Sequence, residues 1–278
     1  MLTKRGLISG AAAFGAMSAV HGAAFAEESF RTLYDQALSD PSLITDERAD
    51  TEDKKADFET RAVAPRVKPS ALRISDDAVD LIVLFEVTSS KLYEQRYQKP
   101  VWPGGDSGVT IGVGYDLGYV KPEWFDDDWG GRLTPETLKR LKPSCGKRGD
   151  AAKALYKGYA DVAIPWGIAR PQFREKLLPL YTGLAVANLP PSAKTLPQDC
   201  LGALVSLVYN RGAPFKSEKA RFREMKRIHN HLEDGALEKI PAEFLSMQRL
   251  WKDKPKMKGL VKRRELEAAL FRQGLEKA

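Results

Sequence analysis

The first sustained pattern of apolar positions begins near Ile74 and has the spacing of a helix. Ser75 is a good N-cap, and the two aspartates that follow it place negative charge at the positive end of the helix dipole. The spacing predicts a helix with a buried face, and Glu86 comes at its far end. The apolar positions that carry the pattern are Ala78, Leu81, Ile82 and Phe85.

The next segment changes to the two-residue alternation of a strand. It extends to about Tyr119, is rich in glycine, and contains the turn signal Trp102-Pro103-Gly104-Gly105. We therefore expect a small antiparallel sheet or hairpin in this segment. The alternating residues are Val109, Ile111, Val113 and Tyr115.

The remainder of the chain has the patterns of helices. The stretch from Asp199 to Tyr209 is nearly all apolar, which predicts a central buried helix that ends at Gly212. These patterns predict one domain over residues 73–278, of the α+β class, mostly helical with a small antiparallel sheet near its start. Further helices are predicted after the cap Thr134-Pro135-Glu136 and at residues 171–184, 219–232, 241–251 and 260–273.

The first 72 residues differ in character from this domain. Two positive charges precede an apolar run rich in Gly and Ala, and Ala24-Phe25-Ala26 offers the small residues of a cleavage site. We therefore expect a signal peptide over residues 1–26, a periplasmic or secreted protein, and no stable membrane insertion, because the apolar run is short. Residues 27–72 are polar and acidic, which predicts a flexible linker with room for a short helix from Phe30 to Leu38.

The charge distribution narrows the class of partner. The formal net charge is +7, and the positive excess lies outside the acidic linker. Such a domain suits nucleic acid, acidic lipid or the anionic bacterial wall. The export signal and the lack of a base-stacking motif argue against nucleic acid.

The two cysteines, Cys145 and Cys200, have no metal-ligand spacing. We therefore expect neither a metal nor a cofactor. Whether the two thiols pair in an oxidising compartment stays open at this point.

Glu86 is the first residue that indicates chemistry. Glycoside hydrolysis needs a protonated carboxyl group, and desolvation at the end of an apolar helix favours the protonated form. Glu86 directly follows the apolar run Leu81–Phe85 and fits that description. The competing interpretation is a partly exposed glutamate at a helix end with no chemical role.

Three motifs then resemble the phage-type lysozyme superfamily. Gly108–Tyr115 resembles the T-I-G-x-G strand of these enzymes, Ala203–Gly212 their central helix, A-L-x-S-F-x-x-N-x-G, and Gly259–Glu267 their terminal G-L-x-x-R-R-x-x-E helix. The resemblance implies a lysozyme-like fold and a monomeric muramidase that cuts the β-1,4 bond between MurNAc and GlcNAc in peptidoglycan glycan strands. It also implies that Glu86 is the acid and that Thr110 holds a water molecule.

The identity of the second carboxylate is less direct. Gly104 stands where the superfamily usually has an aspartate, so the candidates are Asp116, six residues after Thr110, and Asp106, four residues before it. The order Glu, Thr, Asp is similar to that of the bacteriocin pesticin, a member of the same superfamily, and this favours Asp116. Asp106 lies in a Gly-rich turn, where aspartate is common for backbone reasons alone. Inversion or retention at the sugar carbon is left open.

Four residues are expected to bind the sugar chain. Aromatic faces and neutral polar groups commonly do so, although each aromatic residue here could equally be part of the core. A lytic transglycosylase, which needs one Glu and no second carboxylate, remains an alternative function. A non-catalytic wall-binding module on a lysozyme scaffold is another. The expected substrate-binding residues are Tyr115, Trp102, Asn210 and Arg211.

Overall fold

The computed structural model describes residues 28–40, 42 and 66–278. Over these ranges the protein is mostly helical and has one two-stranded antiparallel sheet. The prediction of an α+β domain with a small antiparallel sheet near its start is therefore confirmed at this level. The predicted signal peptide, residues 1–26, lies outside the described residues.

The helices are numbered here in chain order over the described ranges. They are α1 Phe30–Ser39, α2 Asp76–Val87, α3 Ser90–Leu92, α4 Pro122–Trp129, α5 Pro135–Leu141, α6 Gly149–Tyr156, α7 Trp166–Gln172, α8 Leu178–Asn188, α9 Gln198–Arg211, α10 Arg223–Glu233, α11 Ile240–Ser246 and α12 Lys258–Glu276. Two π-helical segments, Tyr93–Tyr97 and Phe173–Leu177, follow α3 and α7. The strands are β1 Thr110–Ile111 and β2 Tyr115–Asp116.

Two of the helix starts that the sequence predicted agree with the structure. The hydroxyl of Ser75 accepts a hydrogen bond from the backbone N–H of Ala78 at 3.1 Å, so it caps α2 as expected. The hydroxyl of Thr134 caps α5 in the same way. The helix predicted from residue 171 instead begins at Trp166, with Pro171 inside it. It continues directly into the π segment Phe173–Leu177.

Helix α9 is the centre of the core. It packs against α2, α8 and α12, and most of its side chains are fully buried. Gly202 allows a close approach to α2, because a Cβ there would lie only 2.2 Å from the Cβ of Ala78. The helix ends at Gly212, whose φ of +71° is a conformation that favours glycine. The predicted buried central helix is thus confirmed.

Within the region predicted as a linker, the short helix that the sequence allowed from Phe30 to Leu38 is present as α1, Phe30–Ser39. Helix α1 packs against α12 and buries four side chains, since its apolar residues fall on one face. Further along, the backbone N–H of Ser70 donates to the carbonyl of Pro179 at 2.9 Å. The side chains buried by α1 are Phe30, Leu33, Tyr34 and Ala37.

Two observations concern the membrane and the thiols. No helix among the residues described here is long and apolar enough to cross a bilayer. Cys145 and Cys200 are both free, which answers the question of pairing that the sequence left open. Cys200 is buried and its thiol donates to the carbonyl of Phe271 at 3.2 Å, and burial raises its pKa to about 12.

Candidate functional site

Glu86 lies at the border between the core and the solvent. It is the penultimate residue of α2, and its side chain is 23% exposed while most of the helix is buried. Thr88 follows the helix with a φ of +65°, the one positive φ of a non-glycine residue in the described ranges. Such strained backbone is often found at functional sites, where the surrounding structure holds it in place.

The carboxylate of Glu86 has an ionic partner on the last helix of the chain. Nη1 of Arg263 donates to Oε1 of Glu86 at 3.1 Å, and the Arg263 side chain is only 3% exposed. The guanidinium carbon also lies 5.4 Å from the centre of the Phe85 ring. The sequence predicted Glu86 at the end of an apolar helix, and the structure adds a buried arginine that contacts and orients this carboxylate.

Arg263 is itself held by α9 and by its own helix. Its Nη2 donates to the carbonyl of Ser206 at 3.1 Å, and its Nε lies 3.4 Å from Oε1 of Glu267. Glu267 is fully buried and also accepts from the hydroxyl of Ser206 at 2.7 Å and from Arg264 at 3.0 Å. Burial raises the pKa of Glu267, against the opposing charges of the two arginines. This network fixes the guanidinium that contacts Glu86.

Helices α2 and α12 are joined at a second point. The amide of Gln273 donates to Asp77 at 2.8 Å and to Asp199 at 3.0 Å. Arg263 contacts Glu86 near the end of α2, and Gln273 contacts Asp77 near its start. The two helices are therefore antiparallel neighbours that are tied near both ends of α2.

The glycine-rich hairpin faces the other oxygen of Glu86. A Cβ at Gly114 would lie 3.1 Å from Oε2 of Glu86 and 2.9 Å from the hydroxyl of Tyr209 on α9. The Tyr209 hydroxyl donates to the carbonyl of Val113 at 2.7 Å, so the tip of the hairpin is bonded to the central helix. The sequence predicted that this strand faces Glu86, and the structure brings the two together.

Thr110 occupies β1 of this hairpin, directly opposite Asp116 in the strand register. Its Oγ1 is buried and has no hydrogen-bond partner in the described part of the chain. A buried hydroxyl without a partner is costly, and it is commonly satisfied by an ordered water molecule or a ligand. This position is compatible with the water-holding role that the resemblance implies for Thr110.

The carboxylate of Asp116 is bonded to backbone groups of the hairpin. It accepts hydrogen bonds from the N–H of Gly108 at 3.0 Å and from the N–H of Gly118 at 2.8 Å, where it caps a short 3₁₀ turn. A Cβ at Gly108 would lie 2.3 Å from Asp116 Oδ1, so glycine is required for this approach. These contacts give Asp116 a structural function that the sequence did not indicate.

The competing aspartate, Asp106, lies at the surface. Its side chain is 53% exposed and forms an ion pair with Arg148 at 3.0 Å. Tyr119 donates to its backbone carbonyl at 3.3 Å. The structure thus ties Asp106 to a neighbouring surface segment.

Two of the four expected substrate-binding residues are placed in the core. Tyr115 is 3% exposed, packs edge-on against Trp129, and donates its hydroxyl to Asp128 at 2.7 Å. Arg211 is fully buried, with its guanidinium 5.0 Å from the ring of Phe222. Burial leaves neither side chain accessible to a sugar chain, so both predictions are corrected to packing roles.

The other two expected binding residues are partly exposed. Trp102 donates its indole N–H to the carbonyl of Ser107 at 3.1 Å, and the ammonium of Lys153 lies 5.2 Å from its ring. The amide oxygen of Asn210 accepts from Arg264 at 3.1 Å, so Asn210 belongs to the edge of the Glu267 network. Both residues stay candidates for substrate contact.

Arg263 and Tyr209 are the site residues to which the sequence gave no role. Both lie within motifs that the resemblance quotes, so their positions in the chain were visible. Their partners were not, because 177 residues separate Glu86 from Arg263 and 96 separate Val113 from Tyr209. Comparison with protein-family models and with curated protein sequences finds no match for this chain. The function is therefore inferred from the site itself.

Proposed function

We propose that this protein is an exported peptidoglycan hydrolase of the lysozyme type. In this proposal it cleaves the β-1,4 bond between MurNAc and GlcNAc by acid-assisted hydrolysis. Glu86 protonates the leaving oxygen, and Thr110 holds the attacking water by its hydroxyl. Asp116 contributes negative charge near the oxocarbenium-like transition state.

The convergence of distant segments on Glu86 is the observation that carries the proposal. The end of α2, the hairpin tip at Gly114, Tyr209 of α9 and Arg263 of α12 meet around one carboxylate. A glutamate without a role at a helix end would not require contributions from all three of the motifs that resemble lysozymes. The unpartnered hydroxyl of Thr110 on the same hairpin adds a group suited to water.

A lytic transglycosylase is the second candidate, and the contacts of Asp116 favour it. That reaction uses one Glu, because a hydroxyl of the substrate itself attacks the sugar carbon. A carboxylate that already accepts from Gly108 and Gly118 has less capacity to act on a water molecule. The two reactions leave different ends on the glycan: a reducing MurNAc after hydrolysis, and a 1,6-anhydro ring after transglycosylation.

The test is digestion of purified sacculi, with mass spectrometry of the released fragments. We expect reducing MurNAc ends from the wild type and a rate lowered by roughly 10²- to 10⁴-fold in Glu86→Gln, since general acid catalysis contributes about that much. Glu94→Gln is the matched control, because Glu94 is an exposed glutamate seven positions beyond Val87. Mostly anhydro ends would establish the transglycosylase instead. A wild type that binds sacculi and releases no fragments would mean a binding module.

The proposal also locates the protein outside the cytoplasm, as a monomer that acts on glycan strands. The leader that supports this location consists of residues 1–26. Expression in a bacterial host and mass measurement of the periplasmic fraction should give a chain that begins at Glu27. An intact chain that stays in the cytoplasm would contradict this location and leave the chemistry to be tested separately.

A further inference from the structure

The hydroxyl of Tyr209 makes a connection that packing alone does not require. Tyr209 is 4% exposed, and its ring lies against Tyr181 at 4.2 Å and edge-on against Phe173 at 5.9 Å. A phenylalanine would satisfy these ring contacts equally well. The hydroxyl instead donates to the carbonyl of Val113, at the tip of the hairpin.

The hairpin needs such an anchor because its own pairing is short. Its two strands pair through Thr110 with Asp116 and Ile111 with Tyr115, with one further bridge from Val101 to Thr110. Two-stranded hairpins are marginally stable by themselves. The tip, Gly112-Val113-Gly114, has positive φ at both glycines and lies outside this strand pairing.

The anchor also lies next to the functional carboxylate. The Tyr209 hydroxyl and Oε2 of Glu86 flank the same point, the position that a Cβ of Gly114 would occupy. The hydrogen bond from Tyr209 to the hairpin tip therefore helps to determine the distance between Glu86 and the hairpin. Thr110 and Asp116 are carried by the same hairpin, so their positions relative to Glu86 depend on the same bond.

We infer that Tyr209 is a positioning residue, whose hydroxyl holds the hairpin at the correct distance from Glu86. The inference rests on the proposed function and deepens it. Loss of the hydroxyl lets the tip move away from α9, and Thr110 and Asp116 move with it. Displacements of about 1 Å in a site can cost roughly 100-fold in rate, so a hydrogen bond outside the reacting groups can control turnover.

Tyr209→Phe is the perturbation, and Tyr93→Phe is its matched control. Tyr93 is also buried, and its hydroxyl also donates to a backbone carbonyl, that of Ile164, at 2.8 Å. Both variants lose one buried hydroxyl of the same kind, so we expect similar shifts of the urea midpoint of unfolding. The carbonyl that loses its donor belongs to the hairpin tip in Tyr209→Phe and to the segment before α7 in Tyr93→Phe.

Two readouts separate positioning from stability. The first is release of glycan ends from sacculi at saturating and at half-saturating substrate. We expect turnover to fall roughly 10- to 100-fold in Tyr209→Phe, with the half-saturating concentration nearly unchanged, and Tyr93→Phe to match the wild type. The second is hydrogen exchange of amides 108–118, measured by mass spectrometry, which should become faster in Tyr209→Phe and not in Tyr93→Phe.

The two readouts also separate this inference from the proposed function. If the wild type releases no glycan fragments, the proposed function fails, and the exchange measurement alone decides whether Tyr209 holds the hairpin. If the wild type is active and Tyr209→Phe matches Tyr93→Phe in turnover, the positioning role is overturned. Unchanged exchange of the hairpin amides in Tyr209→Phe overturns it as well.

Discussion

Substitution of Gly114 by alanine tests the geometry of the site most directly. Two separate costs are expected. The φ of +72° at this residue is a left-handed conformation, which costs an L residue with a Cβ about 1–2 kcal/mol. The new Cβ would also lie 2.9 Å from the Tyr209 hydroxyl and 3.1 Å from Oε2 of Glu86, closer than a carbon and an oxygen normally approach. Either the hairpin or the Glu86 side chain must move.

Gly131→Ala measures the first cost alone, so its difference from Gly114→Ala gives the second. Gly131 has a φ of +73° and open space around a Cβ, so this variant pays only the conformational cost. We expect Gly131→Ala to lower the free energy of unfolding by about 1–2 kcal/mol, a shift in Tm of about 2–8 °C for a domain of this size. Gly114→Ala should lose at least about 1 kcal/mol more, because overpacking costs about 1–3 kcal/mol.

The activity of the two alanine variants should diverge further than their stability. We expect glycan release by Gly131→Ala to match the wild type at a temperature where both are folded. Gly114→Ala should be at least about 10-fold slower, since Glu86 is displaced from the hairpin. Thermal unfolding and sacculus digestion measure the two quantities. Equal losses of stability and equal activity in the two variants would refute the close approach of Gly114, Glu86 and Tyr209.

Four further predictions concern charged groups. Asp116→Asn should strongly lower glycan release, measured by sacculus digestion. It should also lower the free energy of unfolding by about 1 kcal/mol, measured by urea melts, because Asp116 accepts backbone hydrogen bonds. Asp106→Asn should change neither, because its ion pair is exposed; the reverse pattern would identify Asp106 as the partner of Glu86. Arg263→Met should cost about 3–5 kcal/mol in a urea melt, since it removes one partner of a buried network; a cost below about 1 kcal/mol would contradict that network. Burial raises the pKa of Glu224, but hydrogen bonds from two arginines outweigh it and leave the pKa below its usual value. The stability that ionised Glu224 contributes is therefore present above about pH 4.3 and is lost as the pH falls through the lowered pKa. In urea melts at several pH values, Glu224→Gln should therefore lose less stability than the wild type as the pH falls below about 4.3. An unchanged loss of stability at acid pH would refute this.

Local patterns were sufficient to predict the elements that carry the site. The capped apolar helix ending in Glu86 and the Gly-rich hairpin both follow from short-range spacing, and both are present. Burial was harder to predict, because the alternation that identified Tyr115 as a strand residue is compatible with either face of the sheet. The structure turns Tyr115 inward, against Trp129.

Contacts between distant segments account for what the sequence could not predict. The Arg263 guanidinium reaches Glu86 only because α2 and α12 pack side by side, and no local pattern encodes that pairing. The dual contacts of Asp116 with Gly108 and Gly118 depend on the exact turn of the hairpin. An aspartate chosen for its spacing from Thr110 can therefore also be required by the backbone around it.

The two ties between α2 and α12 make the length of α2 a fixed quantity. Asp77 is bonded to Gln273 at one end and Glu86 to Arg263 at the other, so the two helices hold each other in a single register. One residue inserted between Asp77 and Glu86 would advance the carboxylate by about 1.5 Å and turn it by about 100°. Only one of the two ties could then form. Side chains in the middle of α2 can be exchanged for others of similar volume, but the number of residues between the ties cannot change.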